Sequence, residues 1–415
     1  MEISLANSAF VIMCSTFVFL MTPGLAFFYS GMERRKNALN TLMSCFFICG
    51  VASILWITVG YSLAFGTDHG GVIGGFGNLF FNGVGAEAND AYSATIPESL
   101  FALFQMMFAI ITPALICGSL AGRMRFSALF IFVIAWSVIV YYPMAHMVWG
   151  DGGFLREIGS VDFAGGNVVH ISSGVSGLVA CILLGKRREF GLVSYKPHNI
   201  PFVIMGAGLL WFGWFGFNGG SALAADNLAV HAILTTNTSA AMALLSWMLI
   251  EKILHGKPTV LGAATGAVVG LVAITPGAGF VPIWASMIIG ALVSPICYFF
   301  ITKVKSKFGY DDALDAFGCH GIGGIWGGIA TGLFTQKSIN STAKWDGLVF
   351  GDTHLFMVQL LSIVITIIFA GIATFIILSV IKAFMPLRVT QNEEALGLDL
   401  TEHSESAYPS FTGMD

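Results

Sequence analysis

The sequence predicts an all-α integral membrane protein: eleven transmembrane helices, built as an inverted repeat of two five-helix units plus an eleventh helix. Three observations predict it. Of 415 residues, 56% are hydrophobic and only 10% charged, whereas soluble domains carry about a quarter charged residues. Apolar runs of about 20 residues, enough to cross a hydrocarbon core about 30 Å thick, recur from end to end. The stretches that begin at Asp162 and Asp312 also match each other.

The runs fall at 7–31, 39–66, 98–121, 127–149, 164–185, 200–219, 228–255, 259–277, 282–301, 314–335 and 354–384. The first has no basic start and is long enough to remain a span, so no cleaved leader is expected. Basic residues then punctuate every second gap. Arg34, Arg35 and Lys36 follow the first run, and Arg123 and Arg125 the third. Lys186, Arg187, Arg188 and Lys196 follow the fifth, Lys252 and Lys257 the seventh, Lys303, Lys305 and Lys307 the ninth. Lys382 and Arg388 mark the end of the eleventh. Of the 19 basic residues, all but Arg156, Lys337 and Lys344 lie on that side. Because basic loops stay inside, this bias places the N-terminus outside and the C-terminus in the cytoplasm of a multi-pass cell-membrane protein.

The domain reading is a transmembrane domain over 1–384 and a cytoplasmic tail over 385–415. Within the former, repeat one covers about 7–185, repeat two about 200–335, and the last helix about 354–384. The 50 glycines are spread evenly, which suits small surfaces where membrane helices approach closely. The seven cysteines all lie in predicted spans and form no Cys-x-x-Cys pair, so they read as small apolar filler. A net charge of −4 says little when it is divided between two faces.

"DFAGGNVVHISSGVSGLVA" (162–180) aligns with "DALDAFGCHGIGGIWGGIA" (312–330): Asp162 falls on Asp312, His170 on His320, Gly174 on Gly324. A unit with an odd number of crossings, repeated once, runs the second time upside down, a recurrent transporter plan with the substrate path at the repeat interface. Eight residues of helix rise about 12 Å, close to the midplane of the hydrocarbon core. Each half therefore carries one imidazole to the centre, from opposite mouths. A lone histidine in such a helix can be a ring bonded to a neighbouring carbonyl, and a pair can ligate a metal or haem. Two at matched depth point instead to a pathway, because intramembrane ionisable groups are costly and mark one. No metal or cofactor is expected in these glycine-packed helices.

Several further stretches, taken in order, resemble one family. "PGLAFFYSGMERRKN" (23–37), "AHMVWG" (145–150), "DFAGGNVVHISSG" (162–174), "GKR" (185–187), "KPHNIP" (196–201), "GWFGFNGGSALAA" (213–225), "TNTSAA" (236–241), "FGCHGIGGIWG" (317–327) and the tail "LRVTQNEEALGLDLTEHSESAY" (387–408) resemble the Amt branch of the ammonium transporter (Amt/Mep/Rh) family. The resemblance implies a homotrimer with one conduction path per subunit, ammonium or ammonia as substrate, and methylammonium as its analogue. It implies a PII-type (GlnK-like) regulatory protein at the cytoplasmic face, and no nucleic acid.

It also assigns residues. Trp149 offers a cation–π surface worth roughly 0.5–2 kcal/mol, Phe108 a second wall and Ser221 a hydroxyl oxygen, together recruiting ammonium at the outer vestibule. Phe108 and Phe217 resemble the stacked rings of the family's gate, and Trp214 lines the same region. His170 and His320 form the central relay. Asp162 caps the fifth helix and anchors the site; direct proton acceptance is the alternative. Trp149 as an interfacial belt residue, Phe108 and Trp214 as packing and Ser221 as a helix cap also stand as alternatives. The chain departs from the family at Asp151, where glycine is common, and at Ser404, where glycine is frequent. A vestibule carboxylate at Asp151 is expected to raise local ammonium concentration; an ordinary loop charge is the alternative.

The expected function is ammonium transport: a cation recruited outside, deprotonated, and conducted as ammonia through a hydrophobic pore, with the proton carried separately in an electrogenic uptake. An ammonium sensor of the same fold and an Rh-type neutral ammonia channel are the competing readings. No enzymatic activity is expected, since neither a nucleophile–base pair nor a metal cluster is evident.

Overall fold

Backbone N–H and C=O groups cannot go unpaired in hydrocarbon, so an apolar run that crosses it must be helical. In the computed structural model, which describes residues 2–193 and 195–408, a helix stands at every predicted run. In chain order these are α1 (Leu5–Met32), α2 (Arg35–Phe65), α3 (Glu98–Leu120), α4 (126–149), α5 (Gly166–Leu184), α6 (Ile200–Gly220), α7 (Asn227–His255), α8 (Val260–Ile274), α9 (Ile283–Phe308), α10 (317–334) and α11 (His354–Phe384). Among the described residues, nine are long and apolar enough to cross a membrane. The other two are α8, only 15 residues long, and α10, whose apolar character is diluted by glycine.

Glycine sets how closely these helices pack. Gly206 of α6 lies against the backbone of Gly24 and Phe28 in α1, and Gly213 and Gly216 lie against Phe17, Met21 and Cys14. A second crossing joins α5 to α10. Gly174 rests on the backbone of Gly321, and Gly324 on His170 and Ile171, so the contact is reciprocal. Both of these helices open in a widened π-turn, Gly166–Ile171 and Phe317–Gly321, the irregularity that frequently marks functional sites. Helix α11 runs along α5, where Thr374 donates to Ser176 (2.7 Å) and Asn167 to Ser362 (3.1 Å).

The loops sort onto two faces. On the basic face, Arg187 grips Asp311 through Nε and Nη2 (2.9 and 2.8 Å) and approaches Glu33 at 3.5 Å, all three nearly buried. Arg123, fully buried, donates to the carbonyls of Gly185 and Asp311. Burial alone would raise the Asp311 carboxyl, but the guanidiniums of Arg187 and Arg123 outweigh it and hold it below the usual carboxylate range. The far face carries two short antiparallel ribbons, Asp68–His69 with Ile73–Gly74 and Ala88–Asn89 with Ser93–Pro97. There His146, fully buried, bonds Ala64 O and Asp68 Oδ1, each at 2.9 Å.

The segment after α11 folds back on the basic face as α12 (Gln391–Leu396) and α13 (Leu398–His403). Thr390 and Glu393 close a capping box at the start of α12. Lys36 Nζ donates to the carbonyls of Glu394 and Ala395, Glu394 pairs with Arg388, and Asp399 accepts from the Asn40 N–H. Ser404 ends α13 at φ 58°, a left-handed conformation that glycine adopts without strain. This left-handed turn is formed here by serine.

Candidate functional site

On the far face a cavity of about 530 Å³ opens above the helix crossing, and Phe108, Trp149, Asp162 and Ser221 all line it. Trp149 ends α4, and its indole N–H donates to the Asp162 carbonyl (2.9 Å). That bond turns one ring edge to the wall and leaves a face for the cavity. Ser221 ends α6 and donates its hydroxyl to Phe217 O (2.8 Å), so its oxygen lone pairs stay free to accept. Cap and cavity-lining residue are here the same serine.

Asp162 sits where the chain turns into α5. Its Oδ1 accepts the N–H groups of Gly165 and Gly166 and its Oδ2 that of Asn167, at 2.6–2.8 Å. Gly165 makes the entry at φ 119°, a region closed to most side chains. Asp312 does the same for α10: its Oδ2 accepts from the Phe317 N–H (2.9 Å), and Oδ1 takes the Ser119 hydroxyl (2.6 Å). Each carboxylate satisfies donors that a helix start leaves unpaired.

Below the cavity the rings close up. Phe108 meets Trp149 edge-on at 5.9 Å and packs on Phe217 at 4.3 Å. Phe217 lies over His170 at 6.2 Å, and Trp214 flanks that imidazole at 5.5 Å while its N–H is held by Thr275. His170 and His320 then face each other, Nδ1 to Nδ1 at 3.3 Å, with exposures of 1% and 3%. His170 Nε2 is buried with no partner. A neutral imidazole has one donor and one acceptor nitrogen. One hydrogen therefore serves the contact, and the outer nitrogens of the two rings are left with opposite character. Such a tract offers a small polar molecule one donor and one acceptor.

The structure thus brings Phe108, Trp149, Asp162, His170, Trp214, Phe217, Ser221 and His320 together in one connected set of contacts from the cavity to the imidazole pair. Asp151 stands differently: its carboxylate lies 3.7 Å from Arg156, and of the two it is Arg156 that lines the cavity. Sequence reasoning missed Tyr92 and Phe101, whose rings stack at 4.9 Å in the cavity wall, and it missed Gln359. A signal for the last was available, since Gln359, Ser362, Thr366 and Thr374 put polar groups in the most apolar of the nine long helices.

A bundle of long apolar helices enclosing a buried tract of aromatic and imidazole rings defines a multi-pass membrane protein. The chain belongs to the Ammonium Transporter Family, whose profile matches residues 9–408. It is 52% identical to the "Ammonium transporter" of Bacillus subtilis (strain 168) over 404 residues, which is 97% of this chain and 98% of that one. Among solved structures it resembles Mep2 of Saccharomyces cerevisiae, with TM-score 0.87 and 37% identity, covering 94% of this chain and 88% of that one. It also resembles a structure described as "Sensor Amt Protein", with TM-score 0.88 and 28% identity, covering 96% and 98% respectively.

Proposed function

We propose that this protein carries ammonium across the cell membrane as ammonia, with the proton following separately. Family membership supports the substrate. The observation that carries the mechanism is the buried His170–His320 contact under a closed aromatic stack. Potassium and ammonium are nearly the same size, and bare charge is expensive in low dielectric. Ammonium can leave that charge behind as a proton; potassium cannot. Trp149, Phe108 and Ser221 hold the cation in the cavity, and the Phe108–Phe217 pair parts to admit the neutral molecule. His170 and His320 then supply hydrogen-bond partners as it passes and relay the proton released at the stack. Asp162 acts as the anchor of the site, with its oxygens committed to three backbone N–H groups.

In this reading α8 and α10 also cross, giving eleven spans, and α1–α5 and α6–α10 are inverted repeats. The matched roles of Asp162 and Asp312 and the reciprocal Gly174 and Gly324 contacts support that symmetry. The far face is then outside, and the tail after α11 is a cytoplasmic regulatory segment. A homotrimer and a PII-type partner complete the reading.

The test is the charge moved on supported membranes by wild type and by the His170→Ala/His320→Ala variant. Wild type gives an ammonium current and none with potassium; the double variant passes potassium. Ammonia flux without current in wild type would favour a neutral channel. The likeness to the Sensor Amt structure favours a second reading as a sensor, and binding of methylammonium without flux would establish that one.

A further inference from the structure

Gln359 stands in the second turn of α11, the most apolar of the nine long helices. Its side chain is buried, at 1% exposure. An amide left unpaired at such a site is costly, and this one is committed in a single direction. Oε1 accepts from the Ser160 hydroxyl (2.8 Å) and the Val161 N–H (3.0 Å), and Nε2 donates to the Val161 carbonyl (2.8 Å). Donor meets acceptor and acceptor meets donor, as along a strand edge.

The segment so gripped has no regular structure of its own and forms part of the cavity wall: Ser160, Val161, Asp162 and Phe163 all line it. Its next carbonyl, that of Asp162, holds the Trp149 indole N–H (2.9 Å), and Phe163 N–H is tied to Pro276 O (3.0 Å). The indole is therefore fixed to a strip of loop, and the strip is fixed by a side chain from a helix outside the two units that supply the rings.

We infer that Gln359 is a positioning residue for cation capture: by clamping Ser160 and Val161 it sets the seat of the Trp149 indole at the cavity wall. The inference rests on the reading of Trp149 as a recruitment residue. Loss of the clamp lets the anchoring carbonyl move, which weakens capture but leaves the ring stack and imidazole pair untouched. The helix start of α5 keeps its own bonds to Asp162, so the effect falls on the outer segment alone.

The experiment measures ammonium currents of the full-length protein in supported membranes, as half-saturating concentration and maximal current. Gln359→Met keeps volume and loses all three bonds. It raises the half-saturating concentration about tenfold, equivalent to about 1.4 kcal/mol, with maximal current within about twofold of wild type. Thr366→Val, two turns further along α11, removes a hydroxyl bonded only to its own helix and changes neither parameter. Trp149→Leu raises the half-saturating concentration, and adding Gln359→Met to it produces no further rise, because the clamp acts through the indole. An additive double variant, or a Gln359→Met variant that loses only maximal current, overturns the inference. If Trp149→Leu itself leaves half-saturation unchanged, the recruitment reading fails and takes the inference with it. Should Gln359→Met not assemble, Gln359→Glu, which retains the acceptor but not the amide donor toward Val161 O, is read in the same cycle with a rise of about threefold.

Discussion

Neutralising Asp151 leaves a cation without its counterion beside the cavity lined by Phe108, Trp149 and Ser221, and the size of the effect follows from the geometry. The Asp151 carboxylate lies 3.7 Å from Arg156 Nη1, with the two side chains 66% and 38% exposed. The same Nη1 donates to Trp149 O (3.2 Å), so the guanidinium is held at the wall rather than free to swing away. In Asp151→Asn that charge loses its counterion and repels incoming ammonium. At a separation of roughly 8 Å and an effective dielectric constant of about 40, the repulsion is about 1 kcal/mol, or about a fivefold rise in half-saturating concentration at low salt. At 0.15 M salt the Debye length is about 8 Å, which reduces the rise to about twofold. Arg156→Gln has the opposite sign, and the double variant returns close to wild type. Ammonium currents at 5 mM and 150 mM salt read all three. An Asp151→Asn effect that is independent of salt, or a double variant that stays as far from wild type as either single variant, refutes the electrostatic reasoning.

Gly174→Ala drives a methyl group onto the backbone of Gly321 at the α5–α10 crossing; overpacking of this kind costs typically 1–3 kcal/mol. It is expected to lower the melting temperature and ammonium flux together, whereas Gly50→Ala, with open space around it, changes neither. Ser404→Gly relieves a left-handed strain of about 1–2 kcal/mol against a glycine entropy cost of roughly 0.5–1 kcal/mol. The net gain slows hydrogen exchange across 398–408 about two- to fivefold. The Asp311 carboxyl is held below its unfolded value of about 3.9. Its contribution to stability is therefore complete above that pH and is lost as pH falls through the lower, folded value. Asp311→Asn leaves the buried Arg187 with Glu33 as its counterion, destabilises at pH 7 by about 1.5–3 kcal/mol, and flattens the acid limb of thermal melts recorded from pH 7 to 3.

Hydropathy located every long helix because lipid leaves a chain few alternatives; some observed ends fall close to the predicted ones, as at Leu5–Met32 against 7–31, while α9 runs on to Phe308, past the expected 301. The imidazole pair was legible for a different reason: two histidines eight residues after matched aspartates stand out in glycine-rich surroundings. What the sequence hid depends on contacts between distant segments. Nothing local to Gln359 says that its partners are Ser160 and Val161, some 199 and 198 positions away. The pairing of Asp151 with Arg156 is close in sequence, but the intervening glycines let the loop take many shapes, and which of the two reaches the cavity was settled only by the fold. The two ribbons between α2 and α3 gave no period long enough to read, being paired over only a few residues.

The contact between two chemically equal nitrogens has a consequence of its own. A single hydrogen cannot sit on both atoms, so the pair is lopsided at every instant and has a direction, pointing toward one side of the bilayer or the other. In the proposed relay one ring takes up a proton at its outer nitrogen, a proton hops across the contact, and the other ring releases one from its outer nitrogen. Together these steps reverse that direction, and a second passage of the same sense must wait until both rings have exchanged their tautomers. Under the proposed relay the pair is a ratchet that has to be rewound, and the rewinding would set a ceiling on turnover that widening the outer cavity would not lift.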